Sequence, residues 1–296
     1  MSDTVKRTSE IEEFTNLHFI HPISSWLVPK LAAINITPNM VSLTGMFFGI
    51  LAGFSYHHYQ SPPMAVLGFI GMIMWHIMDG ADGQLARLTK SYSEIGAILD
   101  GVCDYVTFIS VYVGIGLMLS QQGNAGIWVI ILSAGALHAI QSSAYELQRA
   151  EYDYWGHGKQ SAALPEIKHM IADLKGKSAP AFIMSQFLIG YVRMQRRSSG
   201  ISSEHRQQLK DILRDNPDKT SDIRALYREI FAPAVNKWSI LCANYRTIAI
   251  FIACLAGQPI YFFWFEIAFL TPVLIVLVQK QRKLNRLFSL RLKEII

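Results

Sequence analysis

The chain has 296 residues, of which 51% are hydrophobic and only 17% charged, with a formal net charge of +5. So apolar a composition, gathered in long blocks, excludes an ordinary water-soluble domain and points to an integral membrane protein. The modest positive balance fits membrane topology and attraction to anionic lipid, not nucleic-acid binding, and Cys103, Cys242 and Cys254 all lie in apolar segments, which excludes a disulfide framework.

The first residues, SDTVKRTSEIEE, are polar and mixed in charge, so no cleavable signal peptide is expected. Residues 14–33 mix Phe, Ile, Trp and Leu with His and Lys. They read as an interfacial amphipathic helix, too interrupted to span. Pro38, in the sequence TPN, suits the first turn of the next helix. Six spans are predicted, at about 38–58, 64–85, 95–119, 125–147, 237–257 and 259–279, each near the ~20 residues that a bilayer core requires. The fold expected is therefore an all-α, six-helix membrane bundle. Its divisions are 1–37 (N-terminus and interfacial helix), 38–148 (spans one to four), 149–236 (a polar helical insertion) and 237–296 (the last two spans and a basic tail).

The insertion carries many charges of both signs, with helix-like pieces separated by Gly and Ser breaks. Its plainer reading is a solvated cap. Its sharper one is an acceptor gate on which Arg193, Arg196 or Arg197 holds a phosphate or lipid headgroup. Further on, Arg246 and Glu266 are isolated charges inside apolar stretches. They either pair across the bundle or face a substrate cavity, and their depths differ by several residues. His76 and His138 have no metal spacing around them and are expected as hydrogen-bonded interior residues. Orientation follows from the cations. The turns at 57–63, 120–126 and 257–260 have no Lys or Arg, while Lys6, Arg7, Lys30, Arg87, Lys90, Arg149 and Lys280 lie towards the other face. That face, with both termini, is expected to be cytoplasmic.

The most informative stretch is MDGADGQLARLTKSYSEIGAILDGVCDYV, residues 78–106. Ionisable groups near a bilayer are expensive, so Asp79, Asp82, Asp100 and Asp104 require a counter-charge, most simply a divalent metal pair. On helices over 64–90 and 94–120, joined by a polar turn, Asp79, Asp82, Gly83 and Ala86 form one stripe and Gly96, Asp100 and Asp104 a second. Facing each other, these stripes make a carboxylate cage of the hard oxygens that magnesium prefers, and two ions there form a clamp for in-line displacement. Gly83, Ala86 and Gly96 leave room for a ligand against backbone. Arg87 can fork onto a diphosphate, and Ser93 offers a hydroxyl.

The spacing D-x-x-D-G-x-x-A-R-x8-G-x3-D-x3-D resembles the signature of the CDP-alcohol phosphotransferase family. The resemblance implies metal ligation by Asp79, Asp82, Asp100 and Asp104, with two Mg2+ ions or Mn2+ in their place, and names Asp104 as the base on the attacking hydroxyl. It implies CDP contacts for Gly83, Arg87, Ser93 and Gly96, and suggests one for Asn39. It further implies phospholipid-biosynthetic transfer from a CDP-alcohol donor to an alcohol acceptor with release of CMP, at least one partner being a lipid. A homodimer is expected from the family alone, and the inner membrane is the place expected in a bacterium. Two other classes compete. An ion or proton transporter would spread its acids through the membrane depth, whereas these gather at one end. A catalytically silent lipid-binding scaffold would have lost an aspartate or Arg87, and none is missing.

Overall fold

The computed structural model describes residues 8–123, 126–174 and 178–296. Lys6 and Arg7, counted towards orientation, and residue 125, the expected start of the fourth span, lie outside the described residues. Every described element is helical. Among the described residues, six helical runs are long and apolar enough to cross a membrane: Pro38–His57, Pro62–Thr89, Ile98–Gln121, Ile127–Gly156, Pro217–Leu255 and Ile260–Ile295. The chain is thus an all-α, multi-pass membrane protein, with polar helices between the fourth and fifth runs.

The described helices fall into two compact units. The first comprises Met1–Leu137 and Ala243–Phe269. Its helices are α1 (His21–Ala33), α2 (Pro38–His57), α3 (Pro62–Thr89), α4 (Glu94–Gln121), the first part of α5 (Ile127–Glu151), and, later in the chain, α10 (Ala243–Leu255) and α11 (Ile260–Trp264). Helix α1 has the character expected of an interfacial segment. Trp26 is largely exposed, and the Lys30 ammonium lies 3.0 Å over its ring.

Helix α2 is the spine of this unit, and both α3 and α4 pack against it. Gly45, Gly49 and Gly53 recur every fourth residue, which lines them along one side of the helix. Lipid tails are as apolar as leucine, so helices gain little from hiding apolar surface and associate instead through close backbone approach at small residues. A Cβ on Gly49 would sit 2.2 Å from Thr107 Oγ1, and one on Gly114 would sit 2.1 Å from the Gly53 carbonyl oxygen. Glycine is therefore obligatory where α2 and α4 cross. Around this crossing Tyr56, Met72, Trp75, Val111, Ile115 and Phe262 form a buried core, while Phe47, Phe54 and Ile109 point outward, as expected in lipid.

Arg246 and Glu266 prove to be partners. Arg246 Nε donates to Glu266 Oε1 at 2.7 Å, both side chains are fully buried, and Tyr112 Oη donates to the same oxygen at 3.3 Å. Measured from Gly257, the two residues differ by two positions, about 3 Å of helix rise, which an arginine side chain spans. The wide π-helical turn over Phe265–Leu270, which carries Glu266, adjusts the phase. His76 is hydrogen-bonded through Nε2 to Thr247 Oγ1 at 2.9 Å, as an interior histidine should be.

The second unit comprises His138–Cys242 and Leu270–Ile296. It holds the end of α5, then α6 (Ile167–Ala172), α7 (Ala179–Ser198), α8 (Ser203–Asp215), α9 (Thr220–Trp238) and α12 (Thr271–Ile295). Glu151 is buried here, ion-paired with Arg206 Nη2 at 3.0 Å, and accepts from Trp155 Nε1 at 2.6 Å. Tyr227, Phe231 and Phe288 pack with tilted and edge-to-face rings between α9 and α12. The fifth and sixth helical runs exceed the expected spans by the most. The fifth begins at Pro217, because α9 buries Ile223, Leu226, Ile230 and Val235 on one amphipathic face that a search for continuous apolar stretches overlooks. The sixth continues through the basic tail to Ile295. Of the arginines singled out in the insertion, Arg196 donates to the Pro165 carbonyl at 2.8 Å, while Arg193 and Arg197 line a cavity of about 480 Å3.

The glycine crossing is tested by substitution. Gly114→Val should lower the thermal midpoint of the detergent-solubilised protein, with a loss on the order of 3 kcal/mol from overpacking. Gly101→Ala, where a Cβ meets nothing within 4 Å, should leave the midpoint unchanged or raise it. Equal effects would show that the crossing is not tight.

Candidate active site

Three helix ends converge to build the site. The Thr37 hydroxyl accepts from the Met40 amide at 3.3 Å and Pro38 opens the first turn of α2, so Asn39 and Ser42 fall on one face of that helix. Helix α3 is buttressed by α1. Ser24 Oγ donates to the Ile77 carbonyl at 2.8 Å, and Ser25 Oγ donates to Gln84 Oε1 at 2.8 Å. Both contacts flank Asp79 and Asp82 and fix the turn that carries them. Lys90, with φ 54°, ends α3 in the left-handed conformation, and Ser93 starts α4 by accepting the Gly96 amide at 3.0 Å. The polar turn thus falls where the sequence placed it.

The carboxylates of Asp79, Asp100 and Asp104 come together across α3 and α4, with one oxygen of each within 4.8 Å of the others. All three are partly buried. Asp82, the fourth expected ligand, is almost fully buried; it accepts from Ser42 Oγ at 2.5 Å and stands in hydrogen-bond contact with Asp100. Two carboxylates that close need a proton or a cation between them, since ionised carboxylates only accept. Every donor atom in the group is a hard oxygen, and no histidine belongs to it. That donor set favours Mg2+, Mn2+ or Ca2+ over zinc or copper. The residues present therefore fit a hard divalent cation.

The residues expected at a nucleotide border this group. The Arg87 guanidinium lies over Gly83, where a Cβ would sit 3.4 Å from Nη1. A Cβ on Gly96 would meet Ser93 Oγ at 3.0 Å and Asn39 Oδ1 at 3.1 Å. Asn39 is thereby brought from α2 to the first turn of α4, beside Ser93 and Gly96. Ser42 was missed. Its one signal was its position three residues after Asn39 on the same helix, and its partner Asp82 lies forty residues further along the chain.

A sequence model of the family described as CDP-alcohol phosphatidyltransferase matches residues 35–192, more than half of the chain. The chain is 29% identical over 103 residues to cholinephosphotransferase 1 of Gallus gallus, covering 32% of this chain and 30% of that protein. It is 31% identical over 87 residues to archaetidylinositol phosphate synthase of Pyrococcus horikoshii, covering 29% of this chain and 44% of that one. An uncharacterized protein of Aquifex aeolicus is 27% identical over 125 residues, 42% of this chain and 61% of its own length. The chain covers less than two thirds of each of these relatives.

The hydrogen bond from Ser42 gives a direct test. Ser42→Ala removes the donor that orients Asp82, and should weaken Mn2+ binding by about tenfold or more in a calorimetric titration, the usual cost of losing an orienting partner. Unchanged affinity would remove Ser42 from that role.

Proposed function

The chain belongs to the CDP-alcohol phosphatidyltransferase family, and we propose that it moves a phosphatidyl or other substituted phosphoryl group from a CDP-alcohol to an acceptor hydroxyl, releasing CMP. The observation that carries this reading is the convergence of Asp79, Asp100 and Asp104 from two helices beside the Arg87 guanidinium. Acids gathered at one end of two spans support a reaction centre over a relay through the membrane, which would need them at successive depths.

In this reading the acceptor oxygen forms a new bond to the phosphorus of the donor, and the bond from that phosphorus to the CMP oxygen breaks. Asp104 receives the acceptor's proton, which requires hydrogen-bond reach in the bound complex. Arg87 forks onto the diphosphate and offsets charge growing on the departing phosphate. Gly83 and Gly96 let the nucleotide lie against backbone, and Asn39 and Ser93 supply polar contacts at its edge. Asp79, Asp82, Asp100 and Asp104 would hold two Mg2+ ions, or Mn2+, whose chemistry when bound is to neutralise phosphate oxygens and orient the displacement. The hard-oxygen donor set supports the class of metal.

The proposal extends to setting. The site would face the cytoplasm, as the lysine and arginine bias implies, and in a bacterium would lie in the inner membrane. One substrate at least would be a lipid, and the protein would act as a homodimer, as its family suggests. The divisions 1–37, 38–148, 149–236 and 237–296 remain the working description of its domains.

Purified protein in liposomes with magnesium, a panel of CDP-alcohols and acceptor alcohols, and CMP release as readout tests the reaction. Asp104→Asn should lower turnover by at least about 10²-fold, the lower range for general-base loss, while the folded protein and CDP binding persist. Near-normal turnover would remove Asp104 from the base role. Activity that survives exhaustive chelation would end the metal-dependent reading.

A further inference from the structure

The second unit contains a basic cavity that the transfer reaction does not use. The first turn of α8 and the last turns of α12 flank an open concavity of about 630 Å3. Gly200 makes the close fit possible. Its φ of 75° is left-handed, and a Cβ there would lie 2.9 Å from the Val278 carbonyl oxygen, so only glycine lets the chain cross α12 at that point. Asn285 Nδ2 donates to the Gly200 carbonyl at 3.2 Å, and the buried Gln281 donates through Nε2 to Asn285 Oδ1 at 3.1 Å. The walls are therefore fixed by hydrogen bonds and not by the cations that line them.

Arg282, Arg286 and Lys293 all reach this cavity from one stripe of α12. Among the described residues none of the three has a carboxylate within ion-pair distance, whereas Arg291, on the same helix, is paired with Glu229 at 2.6 Å. Ser202 and Ser289 add hydroxyls to the lining, and Leu290, at 64% exposure, adds an apolar rim. Three cations sharing a fixed concavity repel one another, and the ligand that offsets this is an anion with several acceptor oxygens. The apolar part of α12 ends at Val278. Arg282 follows about 6 Å further along the axis, the level of headgroup phosphates beyond a hydrocarbon core, and Arg286 about 12 Å, one helical turn beyond it, from where a long side chain reaches back.

We propose that this cavity, separate from the aspartate cluster in sequence and in unit, binds a phosphate-bearing anion: either the headgroup of an anionic lipid or a free phosphate compound of the same charge and shape. Arg282 and Arg286 grip the phosphate oxygens, the Ser202 hydroxyl donates to them, and Leu290 covers the apolar end of the ligand.

The test uses the full-length protein in detergent with EDTA, so that the carboxylate cluster takes no part. Native mass spectrometry reads retention of dioleoyl phosphatidylglycerol against dioleoyl phosphatidylcholine, and calorimetry reads inorganic pyrophosphate. R282Q/R286Q is compared with K280Q/K283Q, which removes the same charge from residues of α12 outside the cavity; all four side chains are exposed, so folding is not at stake. One retained phosphatidylglycerol should be lost, with affinity weakened about tenfold or more, in R282Q/R286Q alone. Pyrophosphate binding that falls only in R282Q/R286Q, without such a lipid, supports the site and assigns it to a soluble phosphate. Equal loss in both double variants, or no loss in either, overturns the proposal.

Discussion

Carboxylates forced together at the end of membrane helices repel one another, and the rest of the first unit is arranged to hold them there. With oxygens no more than 4.8 Å apart, each ionised pair among Asp79, Asp100 and Asp104 costs about 3 kcal/mol at an effective dielectric of about 20. Three such pairs approach the whole net stability of a typical domain. The repulsion is offset only by a counter-charge between the acids and by a scaffold too tight to let them part. Gly49, Gly53 and Gly114 bring α2 and α4 into backbone contact, Ser24 and Ser25 fix α3 against α1, and Ser42 pins Asp82. Each of these devices lies outside the aspartate motif, and each acts on the positions of the aspartates.

That division explains what could be read in advance. The period of the aspartates and small residues put them on two facing helices, and the Ser93 cap with the polar turn before it placed the junction, so Pro62–Thr89 and Glu94–Gln121 fall close to the expected 64–90 and 94–120. Local chemistry fixes those features. The roles of Ser42 and α2 depend on contacts between distant parts of the chain, which one sequence does not display. The same holds for Asp82, which shares a stripe with Asp79 yet is more buried than the other three. Arg246 and Glu266 were left open because depth counted along ideal helices ignores the π-helical turn that carries Glu266.

The polar half of the chain shows the complementary failure. Apolar run length finds membrane spans but not amphipathic helices continuous with them, so Thr220–Trp238 and the basic end of α12 read as insertion and tail. The charges of this half have distinct fates. Arg206 neutralises the buried Glu151, Arg291 pairs with Glu229, and Arg282, Arg286 and Lys293 share a cavity. Bias towards one membrane face explains why cations are present there, but not why some are paired and others gathered.

The central claim is that acids from α3 and α4 jointly hold a divalent cation. Electron paramagnetic resonance of Mn2+ added to the detergent-solubilised protein measures this most directly, because bound and aqueous ions give different signals. Tightly bound Mn2+ is expected in the parent chain and should be lost both in Asp79→Asn, on α3, and in Asp100→Asn, on α4. Bound signal that persists at full amplitude when either helix has lost its carboxylate would contradict the account.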